Sequence, residues 1–312
     1  MRPDPSMLPE DARHLPVLLE EVLEALAPCP GSVLLDGTLG AGGHASALMA
    51  RMGASGRYIG VDRDARILRA TAHRIGDPGG VLEILHATFD QAIAQQPPGS
   101  LDGILLDLGV SSMQLDQANR GFSFQREGPV DMRMDPDSGE SAAELIARLD
   151  TDALTRILRE YGEEPRARRV AEVIHAHQPF ADTRALAEAV ASVAARPKKG
   201  HAATRTFQAL RIAVNDELGC LDRALELALS RLRPGGRLAI ISFHSLEDRR
   251  VKQAMQAATR GCICPPRLPA CACGREPVAR WVHAGARKAD AGAVALNPRA
   301  RSARLRAVER IR

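Results

Sequence analysis

Val33-Leu34-Leu35-Asp36-Gly37-Thr38-Leu39-Gly40-Ala41-Gly42-Gly43-His44 joins a short apolar run ending in an acid, a glycine-rich loop, and the start of a helically spaced stretch that continues to Met52. An apolar run closed by turn formers and followed by a 3.6-residue rhythm is one strand-loop-helix step. The step repeats outward from this stretch. Residues 17–26 read as a helical lead-in. Arg57–Asp62 is a second strand with an acid at its end, residues 63–74 a helix, 81–85 a third strand, and 101–108 a fourth with Asp107 near its end. Strands alternating with helices predict a parallel α/β sheet.

The rhythm breaks after residue 114. No comparable strand follows until after residue 215, while residues 142–158, 166–177, 183–195 and Thr204–Asn215 carry apolar residues at helical spacing. A helix over 218–232, stopped by Pro234-Gly235-Gly236, then leads into an apolar strand over 237–243. Residues 1–114 and 216–312 therefore read as one domain, with an all-helical domain of residues 115–215 inserted into it. A Pro- and Cys-rich loop over 261–274 and a closing antiparallel pair, 279–283 with 303–309, complete the expectation.

The chain has 312 residues, 45% of them hydrophobic and 26% charged, which excludes a disordered tail protein and supplies ample core. No apolar run approaches the length of a membrane span, and residues 1–10 lack a signal-peptide core, so a cytoplasmic protein with no membrane partner is expected. The net charge is only +4, but the basic residues are uneven. Five Lys or Arg and no acid lie between Arg196 and Arg211, and six Arg with one Glu between Arg299 and Arg312. Such patches suit phosphate, and equally suit a solvated helix face and a frayed tail.

Open α/β sheets bind ligands in the crevice between strand ends and helix starts, where the glycine loop falls. Glycines there let a ligand approach the backbone. Asp62, 19 residues past Gly43, ends the second strand where a carboxylate can accept from ribose hydroxyls. Both features fit a nicotinamide dinucleotide or S-adenosylmethionine. Asp36 favours the latter, because a carboxylate before the loop repels a pyrophosphate and attracts a sulfonium and an ammonium. The competing structural roles are a loop-steadying acid at Asp36 and a helix N-cap at Asp62. Phe89, placed in the loop after the third strand, is a candidate for stacking on adenine or a core aromatic.

Eight blocks carry a resemblance. They are His14-Leu15-Pro16-Val17-Leu18-Leu19-Glu20, Asp36 to His44, Leu105-Leu106-Asp107-Leu108-Gly109-Val110-Ser111-Ser112, Gly121-Phe122-Ser123-Phe124, Asp131-Met132-Arg133-Met134-Asp135, Ala203 to Arg211, Ile241 to Arg249, and Asn297 to Ser302. In this order they resemble the bacterial 16S ribosomal RNA cytosine-N4 methyltransferases, the MraW family, over nearly the whole chain. The resemblance implies a Rossmann-like class I methyltransferase sheet with an inserted helical domain. It also implies methyl transfer from S-adenosyl-L-methionine to N4 of a decoding-centre cytosine, with 16S rRNA in the small ribosomal subunit as partner. Cofactor contacts are implied at Gly42, Gly43, His44, Asp62, Phe89, Asp107 and Gln114; His44 and Gln114 come from the resemblance alone.

Cytosine N4 is a poor nucleophile, so alignment and an acceptor for its amino group matter more than acid-base chemistry. The Pro-Pro-aromatic run of many amino-methyltransferases is missing after Asp107, and no catalytic residue is assigned. Phe122, Phe124 and Phe243-His244 are candidates for base stacking, each with a core role as the alternative. His244, Ser245, Glu247 and Asp248 form either a functional loop or an N-cap with acids in the first helical turn. Lys198, Lys199, Arg205, Arg299, Arg301 and Arg304 are candidates for RNA phosphate. Cys262, Cys264, Cys271 and Cys273 form a C-x-C, six-residue gap, C-x-C pattern. Four such thiolates can bind zinc, but the spacing is not the common C-x-x-C, and no metal ligand is assigned. Cys29 and Cys220 read as structural. A dinucleotide-dependent oxidoreductase and a non-enzymatic ribosome-assembly factor are the competing classes.

Overall fold

The computed structural model describes residues 16–76, 81–195, 201–262, 264 and 272–312; the side chains of Ser112 and Arg299 lie outside this description. Two compact units are present. One runs to Gly109 and resumes at Cys220, and the other spans Val110–Gly219.

The first unit holds helix α1 (Leu19–Leu26), strand β1 (Val33–Asp36), helix α2 (Gly43–Met52), strand β2 (Arg57–Asp62), helix α3 (Ala65–Ile75), strand β3 (Leu82–His86), helix α4 (Phe89–Gln95) and strand β4 (Leu101–Asp107). Its sheet has seven strands in the order β3-β2-β1-β4-β5-β7-β6, where β5 is Leu232–Ser242, β6 Ala279–Trp281 and β7 Arg304–Arg310. The first five strands in that order are parallel. β7 runs antiparallel between β5 and β6. This is the Rossmann-like methyltransferase sheet expected from the eight blocks. Central parallel strands are covered on both faces, which is why Leu105, Leu106, Ile240 and Ile241 form unbroken apolar runs and are all buried. β1 leads outward to β2 and β3 on one side, whereas β4 returns on its other side. The order therefore reverses between β1 and β4, the position at which open α/β sheets bind ligands at the carboxyl ends of their strands.

Three local expectations change. The helix expected to stop at Pro234-Gly235-Gly236 ends earlier: α11 covers Glu217–Arg231, and Leu232 already pairs with Leu101. The next paired position is Gly103 with Arg237, so Pro-Gly-Gly is accommodated as an irregularity within β5. Phe89 opens α4 instead of lying in a loop, because Thr88 and Gln91 form a capping box. A further helix, α12 (Ser245–Thr259), follows β5 directly, capped by His244.

The second unit contains α5 (Ser112–Asp116), α6 (Ala142–Arg148), α7 (Thr151–Glu160), α8 (Ala167–His177), α9 (Thr183–Ala191) and α10 (Thr204–Asn215). Residues 142–158 form two helices where one was expected. The Asp150 side chain accepts from Ala153 N–H at 2.7 Å and so starts α7 afresh. Phe122, Leu145, Leu158, Ile174, Val190, Phe207 and Leu210 belong to the core of this unit. Asn215 pins the Asp131–Asp135 block to α10: its Oδ1 accepts from Met134 N–H at 2.7 Å and its Nδ2 donates to the Met132 carbonyl at 2.8 Å. Among the described residues no helix is long and apolar enough to cross a membrane.

Candidate functional site

The glycine loop leaves β1 at the point where the strand order reverses. Gly42 caps α2 with φ +69°, a left-handed conformation that disfavours any side chain. A Cβ there would collide with Ile75 Cδ1, and one on Gly37 would come within 2.5 Å of Leu106 Cδ2 and 2.7 Å of Phe89 Cβ. These glycines are thus required by the packing of α3, β4 and α4 against the loop, a reason other than the ligand access read from the sequence. A Cβ on Gly43 would make a tighter-than-usual contact with Pro16, at 3.1 Å.

Three acids surround the loop, each at a strand end. Asp36 is buried: its Oδ2 accepts from the Tyr58 hydroxyl at 2.7 Å and its Oδ1 from Thr38 N–H at 3.0 Å. Burial pushes its carboxyl up to about 6; the Tyr58 and Thr38 bonds oppose this and the charge of Asp62 adds to it. Asp36 steadies the loop from inside. Asp62 accepts from Gly40 N–H at 3.0 Å and Asp64 N–H at 2.9 Å, and burial raises its carboxyl against these bonds. The N-cap of α3 is Asp64, which accepts from Arg66 and Ile67 N–H, so Asp62 is released from that role. A carboxylate offers about four acceptor sites, so Asp62 retains capacity for a ligand.

Asp107 ends β4. Its backbone N–H donates to Thr38 Oγ1 at 2.6 Å, which fastens the strand to the loop. Burial, and then the charges of Asp36 and Glu247, push its carboxyl up to about 8. Its Oδ1 is buried with no hydrogen-bond partner among the described residues, an expensive arrangement for a carboxyl oxygen. His44 lies beside it, Nδ1 3.8 Å from Asp107 Oδ2, with Nε2 3.0 Å from the Val17 carbonyl. Burial pushes the imidazole down to about 4 despite that bond, so at neutral pH Nε2–H donates to Val17 and Nδ1 carries a lone pair. His44 is buried. It buckles the segment before α1 to the first turn of α2. His14 and Leu15, from the same block, lie outside the described residues.

The sheet unit thus brings Gly42, Gly43, His44, Asp62, Phe89 and Asp107 to the carboxyl ends of its strands. Gln114 belongs to the other unit. It is buried, and its Oε1 accepts from Ser111 N–H at 3.0 Å in the capping box of α5. Sequence reasoning missed Tyr58 and Thr38, which connect Asp36 to β2 and β4; the signal available was a tyrosine in an otherwise apolar strand.

At the exit of β5, Glu247 Oε2 accepts from Phe243 N–H at 2.8 Å and His244 N–H at 3.2 Å. Asp248 binds Arg306 Nε at 2.8 Å and Arg304 at 3.0 Å. The helix-start role holds for His244, Glu247 and Asp248, and Arg304 is engaged within the fold instead of being open to phosphate. Phe243 lies 3.5 Å from the Cβ position of Gly109 and is only partly buried. Phe122 is buried in the helical core, and Phe124 packs edge-on to Phe207 at 5.0 Å and against His201 at 4.7 Å, so neither forms a base-stacking platform. Arg205 faces the buried Glu164 at 4.0 Å. Arg301 is exposed, whereas Lys198, Lys199 and Cys271 lie outside the described residues, as does the Arg299 side chain.

A family profile described as the MraW methylase family matches residues 11–311. The chain belongs to the MraW methylase family. Proteins named ribosomal RNA small subunit methyltransferase H are similar to this MraW chain along its length. The one from Anaeromyxobacter sp. (strain K) is 52% identical, over 97% of this chain and 99% of its own. That of Heliobacterium modesticaldum is 47% identical over 96% and 99%. A SAM-dependent methyltransferase structure from Aquifex aeolicus is a distant likeness, at 11% identity and a TM-score of 0.42 over 98% of this chain and 97% of that one.

Proposed function

We propose that this MraW-family chain transfers a methyl group from S-adenosyl-L-methionine to the exocyclic N4 of a decoding-centre cytosine in 16S rRNA, acting on the small ribosomal subunit in the cytoplasm. The observation that carries the reading is the set of carboxyls Asp36, Asp62 and Asp107 around one glycine loop, each raised by burial, with the charge of Asp62 adding at Asp36 and that of Asp36 adding at Asp107. Such a field repels a pyrophosphate and favours a ligand bearing a sulfonium and an ammonium. The chain's residues fit that ligand: Asp62 has acceptor capacity for ribose hydroxyls, Phe89 stands at the start of α4 for the adenine, and Gly42, Gly43 and His44 form the first turn of α2. Gln114 is assigned to the cofactor on the resemblance alone.

S-adenosylmethionine supplies an electrophilic methyl group when bound. The chain's part is alignment and charge. The unpartnered Asp107 Oδ1 accepts from the target amine, and a carboxyl near 8 is suited to hold the proton the amine sheds. Phe243, beside Gly109, offers a ring for the extruded base. The rRNA target is supported by the full-length relatives named small-subunit methyltransferases.

The test is labelled methyl transfer to small subunits lacking the modification, followed by nucleoside analysis. Label on cytosine N4 is expected. Label on a ring carbon, on ribose or on protein overturns the reaction. Calorimetry with S-adenosylmethionine and NAD, in parallel, separates it from an oxidoreductase.

A further inference from the structure

Between the end of α12 and the start of β6 the chain makes a surface loop whose base is tied: Val278 N–H donates to the Ala258 carbonyl at 2.9 Å, and Arg275 Nη2 to the Ala257 carbonyl at 2.9 Å. Above that base the sulfurs of Cys262, Cys264 and Cys273 converge, all within 4.8 Å of one another. Cys262 and Cys273 Sγ are 3.8 Å apart, far from the roughly 2.05 Å of a disulfide. Two thiolates on one tetrahedral zinc, with Zn–S bonds of about 2.3 Å, stand about 3.8 Å apart.

The backbone around these sulfurs points the same way. Cys264 N–H donates to Cys262 Sγ at 3.4 Å, and Ala272 N–H donates to Cys264 Sγ at 3.3 Å. Each amide fixes the position of the sulfur it reaches, so the backbone holds two of the three sulfurs in place. Three sulfurs this close are within reach of a single cation. We propose that Cys262, Cys264 and Cys273 hold a structural zinc ion that staples the loop joining α12 to β6. Three protein sulfurs leave the fourth tetrahedral position to a further donor. The staple is remote in sequence from the glycine loop and independent of the proposed methyl transfer.

The experiment uses the full-length protein, purified under reducing conditions with zinc present and then freed of unbound metal by gel filtration. Elemental analysis is expected to find close to one zinc per chain. Alkylation followed by peptide mapping is expected to label Cys262, Cys264 and Cys273 at least tenfold more slowly than the exposed Cys29, with the difference erased by a strong chelator. Cys262→Ser with Cys273→Ser loses the metal, whereas Cys29→Ser keeps it. If the wild-type protein carries less than about a fifth of an equivalent and its loop thiols react as fast as Cys29 with or without chelator, the site does not exist. That outcome needs no variant to fold, and it leaves methyl transfer untouched.

Discussion

The two units surround their acids differently. In the helical unit acids and amides face donors and cations: Asn215 serves Met134 N–H, Met132 C=O and Arg211 C=O, Asp131 takes Arg133 in a two-pronged ion pair at 2.9 and 2.8 Å, and buried Glu164 accepts at Oε1 from Arg166 and Ala195 N–H while its Oε2, without a hydrogen bond, has Arg205 at 4.0 Å. At the carboxyl ends of the sheet, acids face acids, and Asp107 keeps an oxygen without a partner. Matched polar groups fix a fold. Mismatched ones store an unfavourable field that a ligand of the right charge relieves.

Substitutions separate these two kinds of burial. Asn215→Ala orphans a buried amide and carbonyl, and is expected to cost roughly 2–4 kcal/mol in urea unfolding; a loss under 1 kcal/mol would remove the contrast. Asp107→Asn is expected to lower kcat for methyl transfer at least a hundredfold while raising stability. The sign follows from a folded-state carboxyl near 8 and an unfolded one near 3.9. Burial of the ionised form weighs against folding increasingly from pH 4 to 8. The gain over wild type is therefore absent at pH 4 and complete, at about 1 kcal/mol or more, above pH 8. Equal melting temperatures at pH 9 would show that Asp107 carries no such burden.

Strand positions were legible because the apolar runs end on acids or glycines: β1 and β2 fall where the residues place them. The meeting of His44 with Asp107 was not, since 63 residues separate them and neither periodicity nor capping chemistry reports a contact made through the sheet. The same holds for the tie from Tyr58 through Asp36 and Thr38 to β4. The helix break at Asp150 was readable in principle, but continuous apolar spacing across 142–158 masked an N-cap. Phe122 and Phe124 show why aromatics near a motif mislead: the motif is there to build a core.

Asp62→Ala sharpens the comparison more gently. Removing an acceptor for ribose hydroxyls is expected to weaken S-adenosylmethionine at least severalfold by calorimetry, and unchanged affinity would displace Asp62 from the site. Wild-type affinity is expected to rise severalfold from pH 7 to 9 as Asp107 ionises toward the cationic ligand, with heats that depend on buffer protonation; over this window, where Asp36 is already mostly ionised, the profile is flat in Asp107→Asn. A steep profile in that variant would shift the titration to another acid. The smallest effect belongs to a pair outside both regions. Arg57 and Glu83, 2.7 Å apart and both about half exposed, should lose under 1 kcal/mol in Glu83→Gln.

The insertion also sets the order in which the sheet can be made. β4 and its parallel neighbour β5 are separated by residues 108–231, so the central pairing closes over a very long stretch of chain, whereas the helical unit is one continuous segment, Val110–Gly219. A long sequence separation slows the former. During synthesis the edge formed by Leu101–Asp107 must wait, unpaired and apolar, for more than a hundred residues to emerge and fold. During that interval an apolar strand edge is open to pairing with other chains.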